Sequence, residues 1–567
     1  MATTSARKAR GAFYTDIRVA RFLVQWAVRH ASDTVLDPCF GGAVFLSASL
    51  DALSRMGGDV SGTVTGVELD PEAFAEVQEL LKAGAILPRL VQGDFFEIAP
   101  SLAGSFSAVV GNPPFVRYQL FSGRVRSNAL SLATRLGVRV SKLCSSWAPF
   151  LVAATACLRE DGRLGMVVPA EIAHAGYARP VLDFVARSFR NTTLLTFRER
   201  LFPALSQDTM LLLADGKRSS DAGGSGYGRL EWLDLDGPAD LSAARFTGFP
   251  DVGGERLEPE ALVSGTLRFA EQFLPTQTRG LYHELANSPG VTRLGTVARV
   301  GIGYVTGANS FFHLSRRLVE RYRVPERFTR RAATRTASFK GLLYTDGDWQ
   351  RGWERGEPSR LLYLSDGLAD VPGGLLEYLS VGVADGVPSG FKCRTRHPWY
   401  RVPHVSVPDA ILTYMSGQGP RFVANVAAVV VPNTLHMIRF HAWAPPAMAI
   451  AASFQTSLTQ LSAEIEGHRM GGGLLKLEPT EAEQVVFCSE GPADGVHFHA
   501  IDGLMRERKL DEARTLADET ILVSGLGLSR RECVLLFKGA TELRERRRKG
   551  RAPIGAEGRS REDRADT

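Results

Sequence analysis

The residues of this chain best equipped for chemistry are Asn112-Pro113-Pro114-Phe115, a rigid corner at the end of the apolar run Ala108-Val109-Val110-Gly111. The two prolines each hold φ near −65° and remove two backbone donors, so the corner is an array of acceptors. The Asn112 side-chain oxygen and the Pro113 carbonyl can together accept both hydrogens of a planar amino group, while the Phe115 ring stacks on the flat system that carries it. An amine whose lone pair is conjugated into a ring is a poor nucleophile until its nitrogen is drawn toward tetrahedral geometry. Acceptors placed for the transition state do this without a strong base or a covalent intermediate. Taken alone, the same four residues also make an ordinary proline turn. The strand ends upstream decide between the two.

Asp16 is placed to cap an amphipathic segment, Ile17 to His30, in which Val19, Phe22, Leu23, Trp26 and Ala27 recur at helical spacing. A β-type run from Thr34 to Asp37 then enters Pro38-Cys39-Phe40-Gly41-Gly42-Ala43 and a helix from Val44 to about Arg55. Strand, glycine loop and helix make a nucleotide-binding opening: glycines admit a ligand close to the backbone, and a helix N-terminus favours electronegative groups. The second strand, Thr63 to Leu69, carries Glu68 at its end, placed to grip a ribose diol. The third, Arg89 to Gly93, leads to Asp94, an acceptor for an exocyclic amine, and Phe95, a ring for a purine. With Asn112 these acids form the carboxyl edge of a parallel sheet, where ligands of such sheets bind. Further along, Trp147 to Leu158 and Tyr177 to Arg190 read as helices, and Gly162 to Pro169, Thr192 to Phe197 and Met210 to Ala214 as strands. The expected sheet has seven strands.

A chain of 567 residues has room for two or three domains. Hydrophobic residues make up 44% and charged residues 23%, without a run of about 20 apolar residues, so no membrane span is expected. Met1 to Arg10 lacks the apolar core of a secretory signal, which makes the cytoplasm the expected compartment. The 6 cysteines are scattered without a C-x-x-C pair, so free thiols and no metal are expected. A net charge of +6 is compatible with a polyanionic partner.

From residue 11 to about 215, these motifs in this order resemble the gamma-class, Taq-like DNA adenine-N6 methyltransferases, which use S-adenosylmethionine. The resemblance implies that Phe13, Tyr14 and Thr15, in Gly11-Ala-Phe-Tyr-Thr15, contact the methionine part of the cofactor. Asp37, Pro38 and Gly41 take its first cofactor motif, Glu68 the ribose position, Asp94 and Phe95 the adenine position, and Phe150 an apolar wall of the pocket. It assigns catalysis to Asn112, Pro113, Pro114 and Phe115, with Phe202 packing against a target base swung out of the duplex. Two departures are Ala43, where the family has a second loop glycine, and Phe115, where many members have tyrosine.

The expected organisation is an α/β chain: a seven-stranded Rossmann-like methyltransferase domain over 1–250, a connecting region over 251–289, an α+β target-recognition domain over 290–500, a helical segment over 501–545 and a disordered basic tail over 546–567. Thr296 to Phe312, above all Thr306-Gly-Ala-Asn309, and Gly471 to Pro479 resemble target-recognition segments. Basic and aromatic residues interleave in Arg330 to Lys340 and in Phe391 to Arg401, as in stretches that contact phosphates and base edges. The function expected is site-specific adenine-N6 methylation of double-stranded DNA in restriction-modification or phage defence, with a separate restriction endonuclease or defence subunit as partner and no membrane. The competing readings are an RNA or protein-glutamine methyltransferase, which shares the acceptor corner, and a DNA-binding module with an inactive methyltransferase fold. Pro38-Cys39 is the dipeptide of cytosine-C5 enzymes, but its place in the cofactor loop is wrong for attack on a base.

Overall fold

The computed structural model describes residues 15–58, 60, 62–82, 88–202, 208–219, 226–241, 254–364, 370–470, 473–490 and 495–548. The chain divides into two compact units, one ending at Phe269 and one starting at Ala270. Among the described residues no helix is long and apolar enough to cross a membrane.

The first unit is built on a mixed sheet of nine strands: β1 (Val35–Asp37), β2 (Val64–Glu68), β3 (Arg89–Gln92), β4 (Phe106–Gly111), β5 (Leu158–Pro169), β6 (Phe189–Phe197), β7 (Thr209–Lys217), β8 (Arg229–Leu235) and β9 (Glu255–Leu257). Their order is 3-2-1-4-5-7-6-8-9. Strands 3, 2, 1, 4 and 5 are mutually parallel, with Leu36 opposite Thr65 on one side and Val109 on the other. Central parallel strands are covered on both faces and so read as unbroken apolar runs. Val35, Leu36, Ala108, Val109, Val110 and Leu164 are accordingly fully buried. The sheet runs outward from β1 in both directions, so the carboxyl ends of β1 and β4 flank the switch point at which sheets of this order bind ligands.

Helix α1 (Ile17–Ala27) precedes the sheet, and α2 (Val44–Arg55), α3 (Pro71–Lys82), α4 (Gly123–Arg135), α5 (Trp147–Ala156) and α6 (Arg179–Ser188) lie between its strands. Asp16 caps α1 as its position predicts, accepting from the Arg18 amide at 2.8 Å. The helix ends at Ala27 rather than His30, because Val28 turns to an extended conformation.

The sheet exceeds the seven strands expected. β8 pairs in parallel with β6, and β9 runs antiparallel to β8. Glu231 and Asp234 hide β8 in the sequence, since two acids interrupt its apolar alternation. In the fold each has a partner: Glu231 pairs with Arg229, and Asp234 accepts from Thr196 Oγ1 at 2.8 Å.

In the second unit, a five-stranded sheet orders the segments Ala298–Ile302, Leu435–Phe440, Ala410–Thr413, Phe422–Asn425 and Leu343–Tyr344. Its core joins this sheet to helices Ser457–Glu466, Gly495–Arg506 and Arg530–Arg548 through Phe422, Phe454, Leu461, Ile501, Leu536 and Leu543. The basic run expected to begin a disordered tail at 546 is helical as far as Arg548. Arg547 turns into the core, where its guanidinium meets the Glu464 carboxylate through two bonds of 2.9 Å, both side chains being at most 1% exposed. Residues 549–567 lie outside the described residues.

Removing one partner of such a pair leaves a buried, uncompensated charge, which costs about 3–5 kcal/mol. Arg547→Ala is therefore expected to lower the urea midpoint of the second unit sharply. Arg544→Ala, whose side chain is partly exposed on the same carboxylate, has a smaller effect in the same measurement.

Candidate active site

The β1–α2 loop and the corner after β4 meet because Gly111 closes β4. A Cβ there would stand 3.3 Å from both Asp37 Oδ1 and Pro38 Cδ. Gly66 in β2 does the same for Phe40, whose Cδ1 would lie 2.7 Å from an added Cβ. The two strand-end loops thus come into direct contact.

Four acceptors crowd the Asn112 corner, and two of them have partners. The Asn112 carbonyl accepts from Cys39 Sγ at 3.4 Å. The Pro114 carbonyl accepts from Ser146 Oγ, and Ser146 Oγ also accepts from the Val116 amide at 2.9 Å. Ser146 therefore pins the proline corner to the start of α5. The Asn112 side-chain nitrogen donates to Thr15 Oγ1 at 3.1 Å. Asn112 Oδ1 and the Pro113 carbonyl have no protein partner among the described residues. Phe115 is buried beside them at 7% exposure.

Cys39 carries no nucleophile. Burial, helped by the charges of Asp37 and Glu68, pushes its thiol well above the ordinary range, so it stays a neutral donor.

Asp37 is 1% exposed. Its Oδ1 accepts from the Cys39 amide at 3.2 Å, while Oδ2 is buried without a partner. Burial pushes its carboxyl up to about 8, against the Cys39 amide bond and with the help of the nearby Glu68 charge. An orphaned buried acceptor of this kind suits a cationic group. Glu68 accepts from the Gly41 amide at 2.9 Å and the Asp70 amide at 2.8 Å, which ties the glycine loop to the end of β2. Asp94 accepts from the Phe96 amide at 3.0 Å and from Asn128 Nδ2 of α4 at 2.9 Å. Beside it, the Phe95 and Phe150 rings stack with centroids 4.8 Å apart, and Phe96 meets Phe150 edge-on.

The fold thus brings Thr15, Asp37, Pro38, Gly41, Glu68 and Asn112 to Phe115 into one chain of contacts, with Asp94, Phe95 and Phe150 as a second cluster at the same sheet edge. Phe202 is buried at 8% exposure, and no ring contact joins it to Phe115 among the described residues. Phe13 and Tyr14 lie outside the described residues. Sequence reasoning missed Ser146 and Asn128. Ser146 carried a readable signal, a serine directly ahead of a helix, but its hydroxyl serves the proline corner instead of the helix.

Ala43, the departure in the glycine loop, sits in the left-handed region at φ 63°. Such a conformation costs a non-glycine residue about 1–2 kcal/mol, whereas losing its buried methyl costs about 0.8 kcal/mol. Relief of strain wins: Ala43→Gly is expected to raise unfolding stability by up to about 1 kcal/mol, read from denaturant melts.

In the second unit, much of the basic sequence is structural. Arg396 donates to the Thr306 carbonyl at 2.7 Å and holds the Thr306–Asn309 turn, while Arg331 lies 4.0 Å over the Trp349 ring and bonds Asp346.

Residues 69–202 match the family model described as Eco57I restriction-modification methylase, and residues 266–522 match that of the C-terminal domain of the type II methyltransferase M.Eco57I. The type II methyltransferase M.AccI of Acinetobacter calcoaceticus is 20% identical over 89% of this chain and 90% of its own length. M.XamI of Xanthomonas campestris pv. amaranthicola is 22% identical over 84% of each. The solved type IIG restriction endonuclease BpuSI shares 16% identity, over 96% of this chain and 67% of its own, with a TM-score of 0.41. Two family models matched in chain order, with relatives aligned along most of their length, make the chain similar to the Eco57I-like type II restriction-modification methyltransferases.

Proposed function

We propose that this protein transfers a methyl group from S-adenosylmethionine to the N6 amine of an adenine flipped out of double-stranded DNA. The observation that carries the reading is the pair of free acceptors, Asn112 Oδ1 and the Pro113 carbonyl, in a corner whose other polar groups are tied down. An amine with two hydrogens to donate matches that pair.

The residues present fit the cofactor. Asp37 offers a buried carboxylate oxygen without a partner, suited to the cofactor's cationic end, and Glu68 retains lone pairs for a ribose diol. Asp94 offers an acceptor for the adenine amine and the Phe95–Phe150 stack an apolar wall; Thr15, Pro38 and Gly41 line the approach, with Phe13 and Tyr14 preceding it in the chain. When bound, S-adenosylmethionine supplies a methyl group on a positively charged sulfur. The protein's own groups do the rest. Asn112 and Pro113 accept the two N6 hydrogens and draw the lone pair out of the ring, Pro114 holds the corner through Ser146, and Phe115 supports the base plane. Phe202 closes against the far side of the base. The second unit contacts the duplex, and a restriction endonuclease or defence subunit reads the same site.

Single-molecule sequencing of DNA from a host expressing the chain tests this directly. N6-methyladenine at one defined motif is expected. Unmethylated adenine throughout, from protein that binds the cofactor, would reject it.

A further inference from the structure

A concave basic site lies in the second unit, lined in part by the Arg330–Lys340 stretch. A cavity of about 230 Å³ is lined by Ser338, Lys340, Asp348, Arg351, Arg355 and Arg506, and it adjoins a second, of about 240 Å³, that adds Arg335 and Glu357. Five cations face two carboxylates across this lining.

Both carboxylates are already committed. Asp348 accepts from Arg506 at 2.8 Å, from Arg351 at 2.5 Å and from the Thr345 amide at 3.0 Å. Burial opposes its charge, but those donors outweigh it and hold the carboxyl down at about 2. Glu357 accepts from Arg355 at 2.7 Å and from Ser338 Oγ at 3.2 Å. Arg506 is a fixed part of the wall, bonded also to Asp502 at 2.6 Å and to the Leu343 carbonyl at 3.0 Å. Arg335 and Lys340 are left exposed, with no carboxylate partner among the described residues. A recess with unneutralised positive charge concentrates anions, and guanidinium forks hold phosphate oxygens through paired, charge-assisted hydrogen bonds.

We infer that this recess binds a phosphate group, presented either by the backbone of a polynucleotide or by a free phosphate or nucleotide. The backbone source rests on the reading of the protein as acting on DNA; the free source does not. A backbone phosphate held here would give the second unit a fixed point on the duplex without reading its sequence.

The test is the double variant Arg335→Ser/Lys340→Ser in the full chain, with the urea midpoint of the second unit as the check on folding. Duplex affinity is measured against salt concentration, and wild-type melting temperature against inorganic pyrophosphate. If the backbone is the source, duplex affinity falls and the salt slope flattens by about 1–2. If a free phosphate is the source, pyrophosphate raises the wild-type melting temperature, the variant loses that rise, and duplex affinity is unchanged. Unchanged affinity and slope, together with no response to pyrophosphate, would overturn the inference. A wild type that binds no duplex defeats the DNA reading instead, and the pyrophosphate measurement then decides this one.

Discussion

Asn112→Ala is expected to lower kcat by about 10²–10³-fold, the loss typical of one transition-state hydrogen-bonding group, while S-adenosylmethionine affinity stays within about twofold because Asn112 has no place in the cofactor set. The reason lies in which atoms of the corner are free. Asn112 Oδ1 is one of two acceptors without a partner, and alanine removes it. Asn112→Asp keeps an acceptor and lets the Thr15 hydroxyl turn to donate, so it should retain more activity than alanine. Thr15→Val leaves the oxygen in place but frees the amide to rotate, and a several-fold loss in kcat is expected. Single-turnover methyl transfer to a duplex containing the target site separates these cases from effects on binding. Equal activity for Asn112→Ala and wild type would remove the corner from the mechanism.

The second large effect concerns Asp37, and its sign is opposite for stability and for binding. The folded carboxyl is raised to about 8 while the unfolded one titrates near the ordinary value of 3.8. A raised group contributes stability that is complete below the unfolded value and is lost as pH climbs through the folded one. The cofactor-free protein should therefore lose stability between about pH 4 and pH 8. Asp37→Asn removes that slope, and at pH 8 it should be more stable than wild type by on the order of 2 kcal/mol. The same substitution removes the one charge suited to the cofactor's cationic end, so S-adenosylmethionine affinity should fall about 10–100-fold. Wild-type affinity should rise with pH up to about 8, and that of the variant should not. Thermal melts and calorimetric titration from pH 5 to 9 read both; a variant that binds as tightly as wild type would place the cation elsewhere.

The carboxyl edge was legible in the sequence because central parallel strands are apolar throughout and each ends abruptly on a polar residue. Asp37, Glu68, Asp94 and Asn112 could be found that way, and the fold places all of them at one edge. Partners brought from far along the chain could not. Thr15 reads from its motif as a cofactor contact, yet its hydroxyl meets Asn112. Asn128 belongs to no motif, and only the fold sets it against Asp94. Asp234 of β8 and the arginine at 547 look solvated in sequence for the same reason: their partners, Thr196 and Glu464, lie 38 and 83 residues away. Backbone strain at Ala43 leaves no mark in composition, and only the missing glycine hinted at it.

The placement of helix Arg530–Arg548 has a consequence for synthesis. It packs into a core that begins with Leu274, so that core lacks one wall until nearly all of the second unit has left the ribosome. At about 5–20 residues per second, the interval between Leu274 and Leu543 is roughly 15–50 s. During that time the first unit is already available to fold, whereas the second waits with Leu274 and Leu461, which lie against the helix at Gly539, uncovered. A ribosome stalled before residue 530 would therefore display the nine-stranded sheet attached to a half whose core still lacks a wall.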